Sequence, residues 1–125
     1  RVEDAIYATK AALKEGIVPG GGIALFNAAE KIKPSNEGEE VLLKSIIAPM
    51  ATILVNAGIS IDIGVPEEEG VGINVVNGEY VNMVEEGIID PVLVTKTALK
   101  NAVSVVTTII SADCVISNIR VNESS

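Results

Sequence analysis

Histidine and tryptophan are absent from this 125-residue chain, and cysteine occurs once, as Cys114. Without an imidazole the chain has no histidine to serve as general base or metal ligand. A lone cysteine forms no internal disulfide, which fits a reducing compartment. On an apolar stretch, Cys114 reads as a small core residue rather than a reactive thiol. Aromatics make up only 2% of the chain, so a core has to be aliphatic and alanine-rich. Cations are scarce, with 9 Lys and Arg against 17 Asp and Glu and a net charge of −8. A nucleic-acid partner is not expected, because phosphate-backbone binding needs clustered Lys and Arg. No apolar stretch reads as reaching the ~18 residues of a membrane-crossing helix, and no signal-peptide pattern opens the chain. No membrane partner is expected either. The chain opens at Arg1 already in helical register and is expected to be a piece of a longer protein.

What is present is enough for one core: 48% apolar residues in a single-domain length. Val2, Ile6, Thr9, Leu13 and Ile17 recur at helical spacing, so residues 2–15 read as a helix with one apolar stripe. Asp4 falls nearly opposite, with Ala8, Ala11 and Glu15. Small side chains around a carboxylate permit close approach by another element or a ligand; equally, an Asp near a helix start is favoured by the macrodipole alone. Gly16 and Pro19 end this helix. Three consecutive glycines, Gly20, Gly21 and Gly22, then precede a second helix over residues 23–32. They leave bare N–H groups at a helix start, suited to an anion or polar ligand, though a flexible connector would look the same.

Residues 33–36 read as a loop, and 39–57 as one long apolar helix kinked at Pro49 and capped by Gly58. Residues 59–70 form an acidic connector, with a possible helical turn at 66–69 whose carboxylates read as a solvated face. Residues 71–76 and 79–82 flank Asn77-Gly78, a signal for a hairpin with a type I′ turn. Asp90-Pro91 reads as N-cap and first position of a last helix running to about Ile110. Residues 114–121 read as a terminal strand with no partner in the chain. The fold class is mainly α, a multihelical segment with a small β-hairpin and a C-terminal strand.

Three ordered segments carry more: Arg1-Val2-Glu3-Asp4-Ala5 leading to Glu15-Gly16-Ile17-Val18-Pro19-Gly20-Gly21-Gly22; Asn74 through Met83; and Gly87-Ile88-Ile89-Asp90-Pro91 with Val94 through Leu99. Together, over essentially the whole chain, they resemble the C-terminal part of the equatorial domain of group I chaperonins. The connector between Gly58 and Gly72 is shorter than the common pattern of that family. Ile73 stands where an aromatic is common and Thr107 where glycine is common.

The resemblance implies a segment, residues 1–125, of an ATP-binding, inter-subunit domain, with the N-terminal equatorial half, the intermediate domain and the apical domain absent. It implies part of an ATP-hydrolysing molecular chaperone that refolds proteins inside a ring assembly. The implied cofactors are ATP and Mg²⁺, the metal held mostly by residues of the other half. Implied partners are identical subunits in a double ring, a co-chaperonin and unfolded client proteins. The compartment would be bacterial cytoplasm or an organelle matrix or stroma. By the same resemblance, Asp4 is the catalytic carboxylate that orients the attacking water. Gly20, Gly21 and Gly22 form the turn beside the nucleotide, Asn74 and Val75 recognise adenine, Ile88 lies against the base, and Asp90 accepts from ribose hydroxyls. Read from the residues alone, Asp90 has a sufficient role as a cap and Asn74 as a hairpin-edge residue. Two rival readings are a nucleotide-binding and oligomerisation module without turnover, and an unrelated helical scaffold.

Overall fold

A computed structural model of the chain describes residues 1–64 and 68–123. In chain order the elements are α1 (Val2–Glu15), β1 (Ile17–Pro19), α2 (Ile23–Glu30), α3 (Glu37–Ser45) and α4 (Ala48–Asn56). After a 3₁₀ turn at Ile61–Ile63 come β2 (Val71–Asn74), β3 (Glu79–Asn82), β4 (Ile89–Pro91) and α5 (Val92–Glu123). The chain is mainly helical with two small antiparallel sheets, β1 with β4 and β2 with β3. That is the expected fold class, apart from its terminal strand.

α1 forms where the 3.6-residue periodicity places it and stops at Gly16, whose N–H donates to Ala12 O at 2.8 Å. Its apolar stripe is not what it buries. Val2, Ile6 and Leu13 stay exposed, Leu13 at 84%, while Ala11 is buried. α1 packs on α5, and Lys96 Nζ donates to Glu15 Oε2 at 3.0 Å. The element that exploits the small side chains around Ala11 is therefore another helix.

β1 and β4 form a three-residue clasp, Ile17 opposite Pro91, Val18 opposite Asp90 and Pro19 opposite Ile89. Gly20 N–H donates to Ile88 O at 2.8 Å and Val92 N–H to Gly16 O at 3.1 Å. Those two bonds flank the register, so pairs 17/91 and 19/89 occupy the non-hydrogen-bonded positions, where backbone N–H groups point away from the partner. Both prolines occupy such positions and cost the ladder nothing.

The segment read as one kinked helix is two helices, with Ile46 and Ile47 forming a turn between them. Pro49 lacks the N–H that would reach Ser45, and its ring crowds that carbonyl, so the helix restarts with proline in its first turn. α3 begins two residues before its expected start because Ser35, Asn36 and Glu39 cap it. Glu39 N–H donates to Asn36 Oδ1 at 2.9 Å, while Glu39 Oε2 accepts from Ser35 N–H and Ser35 Oγ, each at 2.7 Å. Those two hydrogen bonds from Ser35 hold the Glu39 carboxyl below the usual glutamate range. α4 ends as expected. Ile59 N–H bonds Leu54 O and Gly58 N–H bonds Val55 O, both at 2.9 Å, with Gly58 at φ 74°, the paired bonds of a Schellman stop.

The hairpin is present but its turn is not type I′. Asn74 pairs with Glu79, leaving residues 75–78 as a four-residue loop closed by Gly78 N–H to Asn74 O at 2.7 Å. A type I′ turn needs positive φ at both central residues, and among the described residues only glycines adopt it. Asn77 instead turns its side-chain oxygen to Glu79 N–H at 3.0 Å.

Asp90 and Pro91 do not open the last helix; both lie in β4, and α5 starts at Val92. The clasp to β1 claims Asp90 backbone in extended form, which removes it from the cap position. Residues 114–121 are helical, not a strand, as part of α5. Continuing the helix satisfies each main-chain group internally. The environment of the Cys114 side chain, Pro66 and Glu67 lie outside the described residues. Val92–Ala112 is long and apolar enough to cross a membrane by length and composition, contrary to the sequence reading. Lys96 within it is nevertheless engaged with Glu15, as in a helix packed on protein.

The core lies where α2, α4 and the hairpin meet. Ile23, Phe26, Met50, Leu54 and Met83 are buried there, with Ile47, Ile59, Ile73, Val81 and Ile88 packed around them.

Candidate functional site

Beside that core lies a cavity of about 310 Å³ lined by the triglycine turn (Gly21), α2 (Ile23), α4 (Met50, Ile53, Leu54), the hairpin (Gly72 through Val76), Met83 and Ile88. Four expected nucleotide-binding positions, Gly21, Asn74, Val75 and Ile88, thus share one wall system. Their spacing in sequence spans 67 positions (88 − 21), and the β1–β4 clasp is what closes that distance. Gly20 stands behind the wall, bonded through its N–H to Ile88 O. Ile88 is fixed from both sides, since its own N–H donates to Met83 O at 2.8 Å.

Gly22 is held by backbone packing, Gly72 by the Ile23 side chain, and Gly21 chiefly by its positive φ, since the methionine end it faces can move aside. A Cβ on Gly22 would lie 2.6 Å from Met50 N and 2.7 Å from Met50 Cα; on Gly21, 2.8 Å from Met83 Cε. On Gly72 it would lie 2.6 Å from Ile23 Cγ1. The triglycine is therefore no slack connector. It lets α2 start hard against α4, with Gly21 and Gly22 at φ 68° and 79°, and leaves Gly21 backbone bordering the cavity.

The cavity is apolar almost throughout, and its polar group is Asn74. Asn74 Oδ1 accepts from Val76 N–H at 3.0 Å, which shapes the hairpin loop. Its NH₂ makes no hydrogen bond to the described residues and is half-buried at the cavity edge. An apolar cavity with one amide donor at its wall suits a heterocyclic base. Volume near the low end of the ligand-pocket range, roughly 300 Å³, fits a base better than a whole nucleotide.

Asp90 and Gly22 lie outside this cavity, in a neighbouring groove of about 860 Å³ between α2, α3, α4 and α5. Ile53 borders both spaces. The Asp90 side chain is exposed, with no hydrogen bond or ion pair among the described residues, and is therefore available to a ligand that extends past Ile53. Asp4 is further away, exposed in the first turn of α1. It lies at the opposite end of α1 from Glu15 and Gly16, which lead into β1 and the triglycine turn. Among the described residues no three His, Cys, Asp or Glu side chains cluster as a metal site.

Sequence reasoning passed over Met50 and Leu54 and gave Met83, the end of one resembling segment, no role; all three line the cavity. Both methionines of the chain are here, yet an isolated Met carries no signal of what it packs against. It also passed over Asn27, the buried polar side chain of α2, whose alanine-rich surroundings gave a visible hint that a polar residue inside them needs a partner.

The sequence model of the TCP-1/cpn60 chaperonin family matches residues 1–120 of the chain.

Proposed function

The chain belongs to the TCP-1/cpn60 chaperonin family, a family of chaperones, and from that premise we propose that it is the C-terminal part of the nucleotide-binding equatorial domain of a group I chaperonin. The observation that carries the proposal is the convergence of Gly21, Asn74, Val75 and Ile88 on one apolar cavity. In this reading adenine enters between the hairpin and Ile88, with Asn74 NH₂ as its donor and Gly21 letting the sugar approach the backbone. Gly20 and Gly22 hold that turn in place. Asp90, across Ile53, accepts from the ribose hydroxyls.

ATP is the cofactor whose hydrolysis drives the cycle, with Mg²⁺ and the phosphates held largely by residues elsewhere in the protein. Phosphoryl transfer needs an oriented nucleophile more than covalent help. Asp4, an exposed carboxylate in the first turn of α1, orients the attacking water. The assembly is a double ring of identical subunits that takes up unfolded clients and works with a co-chaperonin, in bacterial cytoplasm or an organelle matrix or stroma.

The test is Asp4→Ala in the whole chaperonin, with equilibrium ATP binding and single-turnover hydrolysis measured side by side. Loss of a positioning group is worth about 10²–10⁴-fold in rate, so hydrolysis slows at least about tenfold while ATP binding persists. Normal hydrolysis would make Asp4 a surface residue; equal loss of binding and turnover would make it a binding residue.

A further inference from the structure

α2 joins the two walls of the cavity. Its start follows directly from the triglycine turn, and its far face reaches the entry to β2. Asn27, 8% exposed, is the buried polar residue of the described chain. Its Oδ1 accepts from Gly70 N–H at 3.0 Å. One turn further along the same face, Lys31 Nζ donates to Glu69 Oε1 at 2.7 Å. Residues 69 and 70 are the last before the strand that carries Gly72, Ile73 and Asn74 into the cavity. Gly70 is also bonded on its other side, its carbonyl accepting from Met83 N–H at 3.0 Å, and Met83 is part of the cavity floor.

The two bonds at Gly70 differ in kind. The Met83 bond extends the hairpin's own ladder and fixes β2 relative to β3. The Asn27 bond ties the hairpin as a unit to α2, and hence to Gly21. The Lys31–Glu69 pair is exposed on both sides and adds little on its own. The buried amide is the specific tie, because an unpaired N–H at Gly70 would have to be satisfied by moving.

We propose that Asn27 is a positioning residue for the base-binding cavity, setting the distance between the hairpin wall at Asn74 and the glycine wall at Gly21. It acts through Gly70 and does not touch the ligand. This inference rests on the nucleotide reading above. Without the tie, the hairpin shifts as a body, the slot between Asn74 and Ile88 loses its width, and discrimination between bases falls along with affinity.

The experiment measures equilibrium binding of ATP and GTP to the whole chaperonin, wild type and three variants. Asn27→Leu removes the acceptor at similar volume. Asn27→Gln keeps the amide but displaces its oxygen by one methylene, which guards against a leucine variant that fails to fold. Asn27→Asp keeps an acceptor oxygen in place and serves as the rescue. Leucine and glutamine variants are expected to raise the Kd for ATP about five- to tenfold, the scale of one hydrogen bond. They should also narrow the ATP-over-GTP preference, with aspartate restoring both. A merely structural Asn27 lowers the unfolding midpoint without changing the ATP-to-GTP ratio among folded molecules. An unchanged ratio and ATP affinity in the folded glutamine variant would overturn the proposal while leaving the nucleotide reading intact. A wild-type protein that binds neither nucleotide would overturn the nucleotide reading itself, and this inference with it.

Discussion

Gly22 carries two constraints that can be separated by comparison with Gly78. Both have positive φ, 79° and 76°, but a Cβ on Gly78 meets nothing within 4 Å whereas one on Gly22 meets Met50 backbone at 2.6 Å. Gly78→Ala incurs only the left-handed penalty, roughly 1–2 kcal/mol. Gly22→Ala adds overpacking, typically ~1–3 kcal/mol more, because backbone cannot step aside as a flexible side chain can. Urea unfolding of the two variants is expected to show the larger loss at Gly22, and equal losses would mean that α2 and α4 separate easily. The glycine run was visible in the sequence; its reason was not, since a close approach has a second party and Met50 lies 28 positions on (50 − 22). Asp90 illustrates the same point. Its pairing with a proline imitates a helix cap, and only the distant Val18 in β1 makes it a strand residue.

Among the elements, those set by local chemistry were legible and those set by distant partners were not. α1, α2, the Schellman stop at Gly58 and the β2–β3 pairing follow from periodicity, a proline or glycine stop, and alternation within a few residues. The β1–β4 clasp was missed because three residues are too few to show a period. The terminal helix was misread because alternating apolar residues have no fixed conformation until a partner strand exists or fails to. For the candidate site, the positions came from resemblance, while the floor of methionines and the Asn27 tie appear only once the chain is folded. At this scale α3 offers a pH test. Glu39, held below the usual glutamate range by Ser35, stabilises the folded state when ionised. That contribution is fully present above the ordinary glutamate pKa, about 4.3, and is lost as pH falls through the lowered folded value. Titrating unfolding stability downward from pH 6 should therefore show a shallower acid decline in Glu39→Gln than in wild type. Parallel curves would mean that the cap survives without its carboxylate.

Over the whole molecule, many large apolar side chains among the described residues are uncovered. Val103, Val105, Val106, Ile109 and Ile110 on α5 are 42–63% exposed, and the stripe of α1 and Val41 and Leu42 of α3 are exposed as well. Contiguous exposed apolar area of this kind marks surfaces made for contact. The 125-residue chain produced by itself is accordingly expected to bind an apolar-surface dye and to sediment faster as concentration rises. A monomer with no dye binding across micromolar to millimolar concentration would show that these residues find cover within the chain.

A surface left open in this way has to avoid wrong partners until the right ones arrive, and the clasp at β1–β4 bears on that. Its outward-facing positions are Pro19 and Pro91 along with Ile17 and Ile89, so each outer edge has lost one of the donors a third strand would need. The smaller of the two sheets among the described residues, which contacts α1 and α5, is thus a poor template for growth by strand addition. Replacing either proline would leave the clasp's own ladder intact and open that edge. The prolines there thus bear on how the chain behaves among its own copies as much as on how it folds.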